Sequence, residues 1–389
     1  MPAGRSHWFK ARAGLDAVVG GLALPNEPKI SQPKHLLHVF PTFAVGGSQM
    51  RFAQLVRLHG ARYRHTVLAL DGNTDMANRL SEFPITYPKL QFDKRKTLAS
   101  WHLFRRTLRD TGADVLLTYN WGAIEWALIN RFGAGIPHLH IEDGFGPEEA
   151  QRQLMRRVWT RRLALTGRNT KVILPSRNLE RIALGIWSLP AKQVRYIPNG
   201  VDCARFAVAS RGGEREKIVI GTVASLRREK NIARLIEAFS QVASRRAAGS
   251  LELLIVGGGA ERQALETLAR QRGALVRFAG QTNEPEKFLP QMDIFALSSD
   301  TEQMPLSVLE AMAAGLPVVA TAVGDVREMV AAENAAYIVP LRDDAFAAAL
   351  GRLIDDQPAQ HALGRANEKK ARQTFDENAM AARYAELIG

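Results

Sequence analysis

The chain has 389 residues, 46% of them hydrophobic and 23% charged. That composition builds about two globular domains with sizeable cores and excludes a disordered or collagen-like chain. The formal net charge is +13, and it is one-sided: residues 1–205 carry a net +15 and the remainder a net −2. The single cysteine, Cys203, excludes an intramolecular disulfide framework and suits a reducing cytosol, and no apolar run reaches the ~20 residues of a membrane span.

Arg5 to Pro25 faintly resembles a signal peptide, but Asp16 interrupts its apolar part, so residues 1–30 read as a loose tail. The first strand is His35–Phe40, followed by a glycine loop and a helix from Ser48. Phe52, Leu55, Val56 and His59 fall there at i, i+3, i+4 and i+7. Further strands are expected at His65–Leu70, Asp114–Thr118, Pro137–Ile141 and Lys171–Leu174. Two helices between them are basic. Lys94, Arg95 and Lys96 precede Thr97–Asp110, and Gln151–Leu165 carries Arg152, Arg156, Arg157, Arg161 and Arg162 beside Leu154, Met155, Val158 and Trp159. Each helix is either a solvated face over a packed one or a docking surface for anionic lipid. Nucleic acid ranks behind both, because no zinc-finger spacing or stacking motif is present.

The pattern breaks within Val201–Glu216, at Arg211, Gly212 and Gly213, and then the strand–helix rhythm resumes with Lys217–Val223, Leu251–Val256, Val276–Ala279, Ile294–Leu297 and Pro317–Thr321. Near-continuous apolar strands alternating with helices imply parallel sheets covered on both faces. The fold class is therefore α/β, with two doubly wound Rossmann-like domains facing across a cleft. The expected divisions are 31–206 and 207–371, with 372–389 packing back on the first domain. Ligands in such sheets bind beyond the carboxyl ends of the strands, which directs attention to the loops after Phe40, Ile141, Val223, Val256 and Leu297.

Ser298 to Thr321, SSDTEQMPLSVLEAMAAGLPVVAT, is the most informative stretch. Pro305 is expected at the first helical position, and Gly315-Leu316-Pro317 is a stop signal. Amides around Met304, Pro305, Leu306 and Ser307 would present a helix N-terminus to a diphosphate. Glu302 in the loop and Glu310 in the helix are acceptors for sugar hydroxyls, or else two glutamates around a cap. In the loop ASLRREK, Arg227, Arg228 and Lys230 sit at the same sheet edge, suited to phosphate or else simply surface cations. Gly257, Gly258 and Gly259 permit close backbone approach, but neither GxGxxG nor a Walker loop is present.

Together these motifs resemble the retaining glycosyltransferases of family 4, which have the GT-B fold. The resemblance runs from about His35 to near the end. It is carried by GGSQ at Gly46–Gln49, IPNGVD at Ile197–Asp202, GTVASLRREKN at Gly221–Asn231, LLIVGGGAER at Leu253–Arg262, and Glu302-x7-Glu310 followed by AMAAGLPVVAT. It implies a nucleotide-sugar donor held by the second domain. Glu310 would hold the ribose hydroxyls, Glu302 the transferred sugar, and Lys230 with a nearby arginine the diphosphate. Gly258, Met304, Pro305, Leu306 and Ser307 complete that side, and Gly46 and Gly47 let the first domain approach the phosphates. His140, in HLHIEDG, matches a histidine facing the donor sugar, with His138 on the same strand face. Glu142 and Asp143 meet acceptor or sugar, or cap the next helix. Arg156, Arg157 and Arg161 lie on the acceptor or membrane side.

The sequence departs from the family pattern twice. Ser225 stands where an arginine is usual, leaving Arg227 or Arg228 for the phosphate, and Gln303 stands where glycine is usual. The resemblance implies transfer with retention to a glycan or lipid-linked acceptor, with His140, Glu302 and Lys230 catalytic and no metal or other cofactor. The expected location is cytoplasmic, or peripheral at the inner face of a membrane, with no nucleic-acid partner. The rival readings are a nucleotide-sugar epimerase on the same plan and a non-catalytic anion- or nucleic-acid-binding protein.

Overall fold

The computed structural model describes residues 32–90, 97–145, 147–149, 152–207 and 216–389. The tail 1–30, Lys94–Lys96, Gln151 and the break at Arg211–Gly213 lie outside the described residues.

The first half supplies strands β1 (Lys34–Phe40), β2 (Tyr63–Ala69), β3 (Ile85–Thr86), β4 (Val115–Tyr119), β5 (His138–Ile141), β6 (Thr170–Leu174) and β7 (Val194–Tyr196). They form one parallel sheet in the order β3-β2-β1-β4-β5-β6-β7. Its helices are α1 (Gly47–His59), α2 (Thr97–Asp110), α3 (Ile124–Ile129), α4 (Met155–Leu165) and α5 (Arg177–Gly185). The second half supplies β8 (Ile218–Val223), β9 (Leu251–Val256), β10 (Val276–Gly280), β11 (Ile294–Leu297), β12 (Val318–Thr321) and β13 (Ile338–Val339), parallel in the order β10-β9-β8-β11-β12-β13. Its helices are α6 (Ile232–Ala243), α7 (Arg262–Gln271), α8 (Leu306–Ala313), α9 (Val326–Met329), α10 (Asp343–Ile354) and α11 (Gln357–Thr374), and α12 (Glu377–Ile388) ends the chain.

The two expected doubly wound sheets are present. The sequence pattern misses β3, β7 and β13, which are two or three residues long and lie at sheet edges, too short to show a period of their own. Two helix starts also differ. The basic helix begins at Met155 after an extended Leu154, so Arg152 precedes it. Pro305 is the cap of α8, with extended backbone, and the helix starts at Leu306.

Each sheet is buried on both faces by its own apolar clusters. Met380, Ala381, Tyr384 and Ile388 of α12 belong to the core under the first sheet, so the chain crosses back after α11. The return strand lies against the outgoing one: Val201 bridges Asp376, and Val201 N–H donates to the Phe375 carbonyl at 2.8 Å. A Cβ on Gly200 would come within 2.6 Å of Glu377 Cα, which is why the IPNGVD segment needs glycine there.

The first sheet also buries histidines. His38 bridges His65 Nδ1 and the Tyr119 hydroxyl, both at 3.0 Å, and Thr118 Oγ1 is shared by His138 Nε2 and His140 Nδ1 at 2.8 Å each. Burial pushes His65 down to about 4 and His138 down to about 3, the nearby His140 adding to the latter. These rings stay neutral in the folded chain but protonate below about 6.5 when unfolded. Their contribution is therefore complete above pH 6.5 and is lost as pH falls toward the folded values. Glu310 and Glu377, each raised to about 7 by burial, act oppositely, weakening the fold as pH rises from about 4.5 to 7. Changing His138→Gln should shrink the stability loss between pH 7 and pH 5 by about 2 kcal/mol. Urea unfolding at the two pH values measures it, and parallel profiles for variant and parent would exclude His138 as a source.

Candidate functional site

The site is built by the loops at the carboxyl ends of β8 and β11. Leu226 is fully buried and anchors the first loop, while Arg227 and Arg228 on either side of the turn are exposed. Asn231 adopts the left-handed conformation that asparagine tolerates, caps α6 by accepting from the Arg234 amide at 3.2 Å, and donates to Asp300 at 3.0 Å. That turn aims Lys230 at the second loop. Its ammonium meets Glu302 Oε1 at 2.5 Å, and Ser299 Oγ donates to the same oxygen at 2.7 Å. The backbones are tied as well: Ser298 Oγ donates to the Lys230 carbonyl at 3.1 Å, and Asp300 N–H to the Glu229 carbonyl at 2.9 Å. Lys230 and Glu302, 72 residues apart, thus form one half-buried unit.

The second loop leads into α8. Pro305 has no N–H and its carbonyl accepts from Val308 at 3.2 Å, which leaves the Leu306 and Ser307 amides as the orphan donors of the first turn. Glu310 lies a turn further on. Loss of hydration pushes its carboxyl up to about 7, opposed by Arg205 and reinforced by Glu286. Arg205 is itself held by Glu286 at 2.9 Å. The sequence gives no sign of it, because its partner Glu286 lies 81 residues away. Ser225 is half-buried in the first loop, where its carbonyl accepts from the Arg227 amide at 2.9 Å.

The glycine run after β9 serves mainly to pack the loops together. A Cβ on Gly257 would meet the Ala224 carbonyl oxygen at 1.8 Å and one on Gly259 the Leu226 carbonyl oxygen at 2.4 Å, and both residues have positive φ. Gly258 faces Gln281, 3.2 Å from a built Cβ. In the first half, Gly46 caps α1, and Gly47, its first residue, has open space where a Cβ would be.

Among the described residues, side chains from both halves meet across the cleft. Asn199 Nδ2 donates to the Met304 carbonyl at 2.9 Å, and its Oδ1 accepts from Arg51, whose guanidinium is bound to Asp143 at 2.5 Å. Gln303 Oε1 accepts from Ser176 Oγ at 3.2 Å and Asn178 Nδ2 at 3.3 Å. Asp325 accepts from the Arg177 and Asn178 amides at the start of α5, at 2.5 and 3.0 Å. Arg51, Asn199 and Asp325 are missing from the sequence-predicted set; asparagine in IPNGVD was the one visible signal.

The acceptor-side expectations need correction. Glu142 and Arg161 are fully buried and bind each other at 3.3 Å. Arg161 also grips Glu149 with both terminal nitrogens, at 3.0 and 3.1 Å, and is enclosed by the rings of Trp121, Phe145 and Trp187 at 4.8–5.4 Å. Arg157 pairs with Glu148 and Glu149. Asp143 is committed to Arg51. A buried guanidinium requires carboxylate partners, and this chain supplies them from the same loop. Of the five proposed residues on that side, Arg156 alone is exposed. His140 is likewise enclosed, between Thr118 and Glu142, with Nε2 3.6 Å from Glu142 Oε2.

A family model described as glycosyl transferases group 1 matches residues 207–370, and one described as glycosyltransferase family 4 matches 45–205. The chain belongs to glycosyltransferase family 4. An uncharacterised glycosyltransferase of Methanocaldococcus jannaschii is 30% identical over 49% of this chain and 52% of its own. A UDP-Gal:α-D-GlcNAc-diphosphoundecaprenol α-1,3-galactosyltransferase of Escherichia coli is 28% identical over 58% and 62%. The chain thus spans just over half the length of these curated relatives. Among solved structures, HepE of Anabaena in complex with UDP-glucose superposes with a TM-score of 0.75 at 19% identity, covering 90% of this chain and 98% of that one. This family's two-domain GT-B fold is therefore the fold described above.

Arg161→Met should destabilise the chain by about 3–5 kcal/mol, because it strands the buried Glu142 without a counter-charge and leaves Glu149 with Arg157 alone. Arg156→Gln should stay within about 0.5 kcal/mol. Urea midpoints of the two variants check the difference.

Proposed function

We propose that this chain is a retaining glycosyltransferase that moves a sugar from a nucleotide-sugar donor to a glycan or lipid-linked acceptor without a metal. The observation that carries the reading is the Lys230–Glu302 unit beside the open first turn of α8, with Glu310 behind it. A cation, two free amides and two carboxylates are the groups a diphosphate attached to two sugars requires. Ser225, Arg227 or Arg228, Gly258 and the Gly46–Gly47 turn complete the anion side.

In the proposed reaction the bond between the anomeric carbon and a phosphate oxygen breaks, and its electron pair stays on the phosphate. The acceptor oxygen attacks from the same face and passes its proton to the departing phosphate oxygen. Lys230 and the Leu306 and Ser307 amides stabilise the growing negative charge, and fixed donors of this kind cost no reorganisation during the reaction. They take the place of a metal. Glu302 holds hydroxyls of the transferred sugar, and Glu310 those of the ribose. His140, the sugar-facing group of the resemblance, is enclosed between Thr118 and Glu142 and takes no part in the proposed donor contacts.

Lys230→Ala should lower kcat by about 10²–10³, the loss expected when one fixed donor to a developing anion is removed. The parent should turn over at an unchanged rate in EDTA. An acceptor-dependent transfer assay with UDP-, GDP- and ADP-sugars tests both. Conversion of the donor without acceptor, or loss of activity in EDTA restored by magnesium, would overturn the reading.

Glu310 supplies a pH test. With its carboxyl near 7 in the free protein, the acid form predominates below that value and cannot accept from both ribose hydroxyls. Donor affinity should therefore rise as pH increases from 6 to 8, by up to about tenfold per unit on the acid side. Glu310→Gln should bind more weakly at pH 8 with a flat profile, measured by calorimetry with an intact sugar nucleotide.

A further inference from the structure

Helix α4 has two faces of opposite character. Val158, Arg161, Ala164 and Leu165 point inward. Met155, Trp159 and Leu163 point outward and are 56%, 62% and 51% exposed. Spaced four residues apart, they form one stripe along three turns. At 100° per residue, Arg156 lies on one flank of that stripe and Arg162 on the other, and both are exposed. The Arg162 guanidinium sits over the Trp159 ring at 5.6 Å. Arg152 before the helix and Arg168 after it are also exposed.

The stripe is not a helix turned the wrong way. Rolling α4 to bury it would bring Arg161 to the surface and strip Glu142 and Glu149 of their counter-charge. The inward face is locked, so the outward face is free to be something else. Large side chains exposed singly are ordinary, but a contiguous row bordered by cations marks an interaction surface.

We propose that the outward face of α4 docks this chain on an anionic phospholipid bilayer. The apolar row enters the boundary between head groups and acyl chains while Arg156 and Arg162 reach phosphates on either side. Charge complementarity selects this occupant. A second copy of the same face would set arginine against arginine across a two-fold axis, and residues 1–205 already carry a net +15. Glu148 and Glu149, just before the helix, are tied to Arg157 and Arg161. The proposal stands on this face alone, so it can fail while the transferase reading holds, and the reverse.

Flotation of the full-length protein with phosphatidylcholine vesicles, with and without phosphatidylglycerol, tests it. The parent should float with the anionic vesicles only and release as salt is raised. Trp159→Ser with Leu163→Ser should lower vesicle partition about tenfold or more. Arg156→Gln with Arg162→Gln should lower it about fivefold for each cation lost. Both pairs should melt at the parent's temperature, because all four side chains are exposed. Parent protein remaining at the bottom with every vesicle, equal partition of parent and variants, or light scattering that shows a parent dimer abolished by Trp159→Ser with Leu163→Ser would each overturn it.

Discussion

One ion pair organises the second domain's working edge. Lys230 and Glu302 sit in the loops that follow two neighbouring strands, 72 residues apart in sequence, and their 2.5 Å contact fixes the two loops against each other. Everything around it follows from satisfying that contact. Asn231 takes a left-handed turn so that Lys230 points inward, Ser299 supplies a second donor to the same carboxylate oxygen, and Gly257 and Gly259 let the next loop press against this one. A charge pair half out of water is held by several such contacts or not at all. The geometry thus comes with its cation and carboxylate prepositioned beside the open first turn of α8.

The cleft is spanned by side chains at positions whose sequence context gave little warning. Gln303 sits next to Glu302 and reaches Ser176 and Asn178 on the opposite domain. Glycine at that position, as is usual in the resemblance, has no side chain to do so. The chain from Asp143 through Arg51 and Asn199 to Met304 links the first domain's strand end to the loop before α8. Any motion that opens the cleft must break these bonds together with the two that Asp325 makes to the start of α5. Residues 302–304 therefore carry both Glu302 of the ion pair and the cross-cleft contacts of Gln303 and Met304.

How much of this was legible in the sequence depended on whether the signal was local. Strand β9 is read to the residue, because Leu251–Val256 is a continuous apolar run. The edge strands β3 and β13, two residues each, leave no periodicity to read. Lys230 and Glu302 in the loops and Glu310 in the following helix stand out in the sequence because strand ends in doubly wound sheets collect ligand groups. Arg51 does not, since an arginine inside an amphipathic helix reads as a surface charge until its partner Asp143, 92 residues on, is placed beside it. His140 shows the same limit from the other side. Its position at a strand's carboxyl end was visible, but the enclosure of its ring by Thr118 and Glu142 depends on the neighbouring strand and loop.

Net charge misled in an instructive way. The excess in the first half suggested that the arginines of α4 act together as a cationic surface, yet they divide by helical angle. Arg157 and Arg161 neutralise Glu148, Glu149 and Glu142 in or near the interior, and Arg161 is walled in by three aromatic rings. These two cations fix the helix's rotation. Arg156 and Arg162, which pair with no carboxylate among the described residues, flank the exposed row of Met155, Trp159 and Leu163. The buried pairs determine which face is outward, and the outward face then determines what the helix can meet. A count of basic residues registers four equal charges, whereas the structure separates two that hold the helix in place from two that remain available to a partner.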